Sequence, residues 1–260
     1  MKLFLQPVIT VAAALVVLGA AIFTFAQSKK TERVAAEPEA KSSGSTKQNQ
    51  RPADEVSARA QLQPNTGDIS KYSYEFTQPQ FYIRHILIQH DSAGHGTITF
   101  ERLNEDAPLV EPVELSTAAV ARILPLWQDL HFLESQENYQ ADKQFPHLGI
   151  MRLGMEQGAH KRTAEFNWTH NQSVSALVNE YRRVADQAIF IFDISVAREN
   201  QPLNAPKLME GLESLLKRNG LSDPEQLKPL LSEISTDERL PLIARNHAIR
   251  LLKQIEKASR

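Results

Sequence analysis

Residues 71–102, KYSYEFTQPQFYIRHILIQHDSAGHGTITFER, decide the fold. Tyr72, Tyr74 and Phe76 alternate with polar residues, the period of a half-buried strand. Phe81 to His90 (FYIRHILIQH) is dense in aromatic and β-branched residues, and Thr97 to Arg102 (TITFER) alternates again. The glycine-containing connection Asp91–Gly96 joins these runs, so they read as a β-hairpin.

C-terminal to this hairpin the period changes to that of a helix. Ser116 opens a segment with Val120, Ile123, Leu124, Trp127 and Leu130 on one face, and Pro125 is expected to weaken its middle. A second hairpin follows, His147–Met155 and Lys161–Trp168, turning at Glu156-Gln157-Gly158, with Ala164, Phe166 and Trp168 alternating along the return. From Val174 to Val196 one apolar stripe runs through Leu177, Val178, Tyr181, Val184, Ala185, Ala188 and Phe192. Phe190 and Ile194 lie opposite that stripe, which predicts a helix half buried on all sides, between the sheet and the C-terminal segment. A strand over 188–194 is the alternative. Three helices complete the chain: one over 207–219, stopped at Asn219-Gly220; one opened by Asp223-Pro224; and one after the capping box Ser235–Glu238. The last carries Leu240, Ala244, Ala248, Leu251, Leu252 and Ile255 on one face.

The expected fold is therefore α+β. An antiparallel sheet of two hairpins packs with two helices in the order ββαββα over 71–200, and a three-helix segment over 201–260 packs on it as one body. Phe81-Tyr82-Ile83, Ile86-Leu87-Ile88, Gly94 and Gly96, Thr97–Phe100, the helix from Ser116, and Phe145 with Leu148-Gly149 together make residues 72–195 resemble a family of bacterial envelope domains of unassigned activity. That resemblance implies the fold and an envelope setting, and no catalytic residues. The segment Ala244–Leu252 makes the C-terminal helices resemble HEAT or armadillo hairpins. One or two such hairpins imply a cap or docking surface rather than a solenoid.

Working toward the N-terminus, residues 29–70 contain no aromatic residue until the folded body begins and no apolar periodicity. Such a composition cannot bury enough surface to offset ordering entropy, so a disordered linker is expected, with a mean span of about 35 Å. Residues 1–28 hold no charge between Lys2 and Lys29, and Val8–Ala26 is almost wholly apolar. As a helix, residues 3–28 would reach about 39 Å, enough for a bilayer. A cleaved signal peptide, cut after Thr24-Phe25-Ala26, is the competing reading. Lys29, Lys30 and Arg33 would keep the body cytoplasmic by the positive-inside rule, whereas the layout of anchor, linker and soluble body is that of export. The expectation is a single-pass inner-membrane protein with a periplasmic body, secreted if the signal is cleaved.

Composition narrows the chemistry. With no cysteine there is no disulfide, zinc–thiolate site or cysteine nucleophile. A net charge of −2 gives no global field for nucleic acid. No phosphate-binding glycine loop, dinucleotide fingerprint, G-x-S-x-G or H-E-x-x-H is present, and no cofactor is expected. His90, Asp91 and His95 cluster at the first hairpin tip and offer imidazole and carboxylate ligands, but their spacing matches no standard metal site and reads as a solvated turn. Ser214–Lys217 matches S-x-x-K without its companion elements, as expected by chance. Trp127 and Trp168 could stack on a ligand; both lie on predicted apolar faces and read as core. His247 reads as a hydrogen-bonded residue at the core edge. Between Arg239 and Arg260 six Lys/Arg face one Glu, and Arg239, Arg250, Lys253 and Lys257 form a cationic face suited to an anionic membrane or an acidic partner. The functional expectation is a non-enzymatic, membrane-tethered interaction or scaffold protein of the envelope with a protein partner. The alternative is an envelope hydrolase or metal-dependent enzyme whose site is assembled only in the fold.

Overall fold

Tyr72, Tyr74 and Phe76 lie on a central strand of one antiparallel sheet. The computed structural model describes residues 70–258, so the anchor or signal segment and the linker up to residue 69 lie outside the described residues. The sheet has six strands: β1 (Lys71–Thr77), β2 (Ile83–Asp91), β3 (His95–Arg102), β4 (Leu109–Glu114), β5 (Ile150–Gln157) and β6 (His160–Phe166). All pairs are antiparallel, in the order β4-β3-β2-β1-β5-β6. Strands β1 to β4 form a meander, and β5 then returns to the free side of β1. The two expected hairpins, β2–β3 and β5–β6, are present, and β1 joins them (Tyr74 opposite Ile88 and Leu153). The order ββαββα thus becomes ββββαββα.

Of the two strands this adds, β1 carries the alternating run Tyr72–Phe76, whereas β4, LVEPVE, has no strand reading in the sequence. Only Val113 is buried in it, so alternation is weak. Pro112 cannot donate to a ladder on both sides, which confines such a strand to an edge, and β4 is an edge.

At the β2–β3 turn, Gly94 adopts φ +91°, the left-handed region that closes this loop, and its N–H donates to the Asp91 carbonyl at 3.1 Å. Gly96, opposite His90, has a different constraint. A Cβ there would overlap the Gln89 carbonyl oxygen and lie 2.7 Å from the His90 Cα. Because the obstacle is backbone, Gly96→Ala is expected to cost at least about 2 kcal/mol, measured as a shift in the urea midpoint with the slope unchanged.

One sheet face is covered by α1 (Thr117–Asp129) and α2 (Gln172–Asn200). Ser116 caps α1, its hydroxyl accepting from the Ala119 N–H at 3.1 Å, and the helix runs through Pro125. Tyr74, Ile88, Ile98, Phe100 and Leu153 from the sheet meet Ile123 and Trp127 of α1 and Leu177, Tyr181 and Val184 of α2 in the first core. Tyr74 stacks on Tyr181, with centroids 5.2 Å apart and planes 3° from parallel. The opposite face is solvated, as an antiparallel sheet allows. A ladder of ionisable groups crosses it: Glu101 and His85 (3.4 Å), His85 and Glu75 (3.1 Å), Glu75 and Arg152 (2.9 Å), Arg152 and Glu165 (2.7 Å).

Residues 188–194 are helical, within the 29 residues of α2. Ala188, Ile189 and Phe192 pack on the first core. Phe190 and Ile194 point the other way and join a second core with α3 (Ala205–Lys217), α4 (Lys228–Thr236) and α5 (Leu242–Ala258). One helix thus serves two cores, which is why its second half is apolar all round. Arg102 at the end of β3 pins this junction: it is buried, ion-paired to Asp193, and its guanidinium lies 5.3 Å from the Phe100 ring and 5.5 Å from that of Phe192.

In the C-terminal segment α3 lies two residues earlier than expected, Asp223-Pro224 opens a 3-10 turn over Pro224–Leu227 from which α4 follows, and the capping box is overturned. Ser235 and Thr236 do not cap the last helix; they end α4, and α5 starts only at Leu242, after Pro241. Asp237 closes the turn between them instead. Its carboxylate receives Arg239 at 2.7 Å and Arg198 at 3.2 Å, and these guanidiniums, Arg239 foremost, hold it well below the usual carboxylate range. Among the described residues no helix is long and apolar enough to cross a membrane.

Candidate functional site: an aromatic groove beside the second helix

The β1–β2 turn carries Gln78, Pro79, Gln80, Phe81 and Tyr82. Gln78 is buried, and its amide donates to the carbonyls of Pro146 and His147, both at 3.0 Å. That anchor, with the Phe81 N–H on the Gln78 carbonyl (3.0 Å), fixes a tight turn that presents Phe81 and Tyr82 outward. Both residues are exposed, at 45 % and 58 %.

A third aromatic faces the same space. Strand β6 ends at Phe166, so the alternation that would have turned Trp168 inward stops two residues short. The buried Asn167 takes over: its side-chain oxygen accepts from the Phe145 N–H (2.9 Å) and its own N–H donates to Gln140 (2.8 Å). The Trp168 carbonyl accepts from Ala141 (2.8 Å), and its ring meets Phe145 edge-on at 5.4 Å. The ring is thus held from behind while 42 % of the residue stays exposed. Trp127, by contrast, is the core residue expected, 2 % exposed.

Between these aromatics lies a groove of about 1020 Å³. Tyr74, Met151 and Phe166 contribute from the sheet. One wall is the flank of α2 beside its core stripe: Ser175, Val178, Asn179, Arg182, Ala185, Asp186 and Ile189, at helical spacing. Among the described residues lining it, Arg182 is the one cation and Asp186 the one carboxyl. Burial pushes the Tyr74 phenol up, with Arg182 pulling the other way. Burial also raises the carboxyl of Asp186, against the pull of Arg218 at 3.1 Å and of Arg182. The groove is therefore mostly apolar, rimmed by rings, with one cation, Arg182, and one carboxyl, Asp186, on its helical wall. A smaller cleft of about 360 Å³ lies between β4 and the second half of α2, lined by Glu111, Glu114 and Glu199 among others.

The residues expected at the hairpin tip do not converge. Asp91 spends its carboxylate on the turn, accepting from Ala93 (2.9 Å) and His95 (3.0 Å). Partial desolvation opposes ionisation there, but these N–H donors outweigh it and lower the carboxyl below its usual range. His95 points to solvent. His90 points into the core with both ring nitrogens engaged, Nδ1 with the Asp91 carbonyl (2.7 Å) and Nε2 with the Tyr181 hydroxyl (2.8 Å). A carbonyl can only accept, so Nδ1 carries the proton. Tyr181 then donates to Nε2 and accepts from the indole N–H of Trp127 (3.0 Å). Every member of this buried chain is satisfied with His90 neutral. No group of three His, Asp or Glu positioned for a metal ion occurs among the described residues.

Burial lowers the His90 pKa from 6.5, the contacts with Asp91 acting weakly in the opposite sense. The unfolded chain then binds a proton that the folded one refuses, so stability is present above about pH 6.5 and is lost as pH falls below it. The thermal midpoint is expected to fall more steeply from pH 7 to 5 in the wild type than in His90→Gln. Equal slopes would contradict the neutral assignment.

Other expected residues fall as follows. Ser214 and Lys217 are exposed helix neighbours, the hydroxyl donating to the Glu210 carbonyl (3.0 Å) and the ammonium paired with Glu213 (2.7 Å), so no nucleophile–base pair forms. His247 is buried at the edge of the second core, 2.9 Å from Glu213. Arg239 leaves the cationic face of the last helix: it sits in the preceding turn, bound by Asp237. Arg250, Lys253 and Lys257 remain, exposed on α5.

The fold and groove define an α+β body with a preformed aromatic-rimmed recess. No family model matches the chain, and no curated protein matches it.

Proposed function

We propose that this protein is a membrane-tethered, non-enzymatic interaction protein of the bacterial cell envelope, and that its folded body holds an apolar segment of a protein partner in the groove beside Trp168. The observation that carries the reading is the gathering of Phe81, Tyr82 and Trp168, each more than 40 % exposed, around one apolar recess. Exposed large aromatics are rarely grouped without a use, and Trp, Tyr and Arg are the residues that dominate binding energy at protein interfaces. Arg182 gives the recess one cation to orient an entering carboxylate or carbonyl. The tether rests on the apolar stretch Val8–Ala26 and the polar, aromatic-poor linker after it. The test is co-purification from native membranes with the full chain. Wild type is expected to retain a stoichiometric partner that Tyr82→Ala/Trp168→Ala loses. Equal recovery by both proteins would remove the groove from the account, and recovery by neither would remove the interaction reading.

One feature favours the enzymatic alternative: a cleft carboxyl raised by burial, Asp186, is where acid–base chemistry is sought. As a hydrolytic acid it would make Asp186→Asn inactive with partner retention unchanged.

A further inference from the structure

We propose that the outer face of α5 rests on the surface of an anionic lipid bilayer. The inner face of this helix is fully used, with Ala244, Ala248, Leu251 and Ile255 buried in the second core. Its outer face is not. Leu242, Ile243 and Ile249 are 60 %, 65 % and 38 % exposed. Arg250, Lys253 and Lys257 are exposed with them, and among the described residues no carboxylate forms an ion pair with any of the three. Spacings of seven between Leu242 and Ile249, and between Ile243 and Arg250, put these six side chains on one side of the cylinder. Aliphatic side chains beside long-stemmed cations are the composition of a helix lying at a lipid interface. The aliphatic groups enter the headgroup region while Lys and Arg reach anionic phosphates from flexible stems. Most basic side chains elsewhere on the body are neutralised: Arg84, Arg102, Arg122, Arg152, Arg198 and Arg239 all hold carboxylates. Arg250, Lys253 and Lys257 thus stand together, without a paired carboxylate among the described residues, where the exposed aliphatic residues are. The surface is built on the second core, so the proposal is independent of the groove.

The chain has no cysteine, so Asn246→Cys, in the middle of this face, accepts one environment-sensitive fluorophore. The full chain is reconstituted into vesicles of phosphatidylcholine with phosphatidylglycerol, and into phosphatidylcholine alone. The emission is expected to shift to the blue on the anionic vesicles only, and to return in high salt. At roughly fivefold per cation near an anionic surface, Arg250→Glu/Lys253→Glu/Lys257→Glu is expected to lower the ratio of docked to undocked body by at least about 100-fold. Its thermal midpoint should stay at the wild-type value, since the three side chains hold no carboxylate among the described residues. Identical emission on the two vesicle types, or a shift that survives charge reversal, would overturn the proposal. So would emission that stays at its water value on lipid and shifts only when an acidic protein is added.

Discussion

Trp127→Ala is expected to lower stability by about 4 kcal/mol, within the range for deleting a buried large aromatic. The indole is 2 % exposed, packs edge-on against Phe132 at 4.8 Å, and donates its N–H to Tyr181. Its loss opens a cavity where α1 meets α2 and removes one partner from the buried His90–Tyr181–Trp127 chain. For a body of this size the midpoint should fall by about 8–16 °C. Tyr181→Phe should reproduce part of this without a comparable cavity, because it leaves the His90 nitrogen and the indole N–H both unsatisfied, at about 1–3 kcal/mol for each group. A drop of less than 3 °C for Trp127→Ala would mean that the first core does not depend on this contact.

The other tryptophan should behave in the opposite way. Trp168→Ala combined with Tyr82→Ala is expected to leave the midpoint within a few degrees, since both residues are exposed and the Trp168 carbonyl is held independently of its ring by the Ala141 N–H. Tyr82 gives up a contact with Arg102 at 5.8 Å, worth about 0.5–1 kcal/mol at an exposed site. Partner affinity, however, should fall by about three orders of magnitude, at about 2 kcal/mol for each central aromatic. Isothermal titration against the co-purified partner reads this directly. The crossed result, folding lost with Trp168 and binding lost with Trp127, would reverse the roles assigned to the two residues.

Much of the fold was legible because its signals are local. Period two marks β1, β2, β3, β5 and β6, and period 3.6 with Ser116 or Asn219-Gly220 marks helix ends. The apolar run around Phe190 even revealed that α2 has something on both sides. What local signals lack is pairing partners. Nothing in KYSYEFT says that it lies between β2 and β5, and nothing in LVEPVE outweighs its proline without knowledge that it is an edge. The capping box at Ser235 failed for a related reason: Pro241 offers a competing helix start, and Asp237 is drawn to Arg198 on α2.

The groove was less legible than the fold. Alternation through Ala164 and Phe166 assigns Trp168 to the core, and only the end of β6 at Phe166 reverses that. Phe81 and Tyr82 read as strand residues, whereas Gln78 holds them in a turn through contacts 68 and 69 residues away. The available signal was the width of the apolar stripe of α2, whose edge at Val178, Ala185 and Ile189 continues past the core toward Ser175 and Arg182. The hairpin-tip cluster failed as a site through simple geometry: residues on a strand alternate, so His90 faces the core when Asp91 faces the turn.

The most direct test of the groove is site-specific photo-crosslinking of the full chain in native membranes. A photoreactive residue placed at Tyr82 is expected to give one discrete adduct that Trp168→Ala abolishes, while the same residue at Gln89, exposed on the opposite face of the sheet, gives none. Adducts of equal yield at both positions, or at Gln89 alone, would contradict the assignment of the Trp168 groove as the binding site.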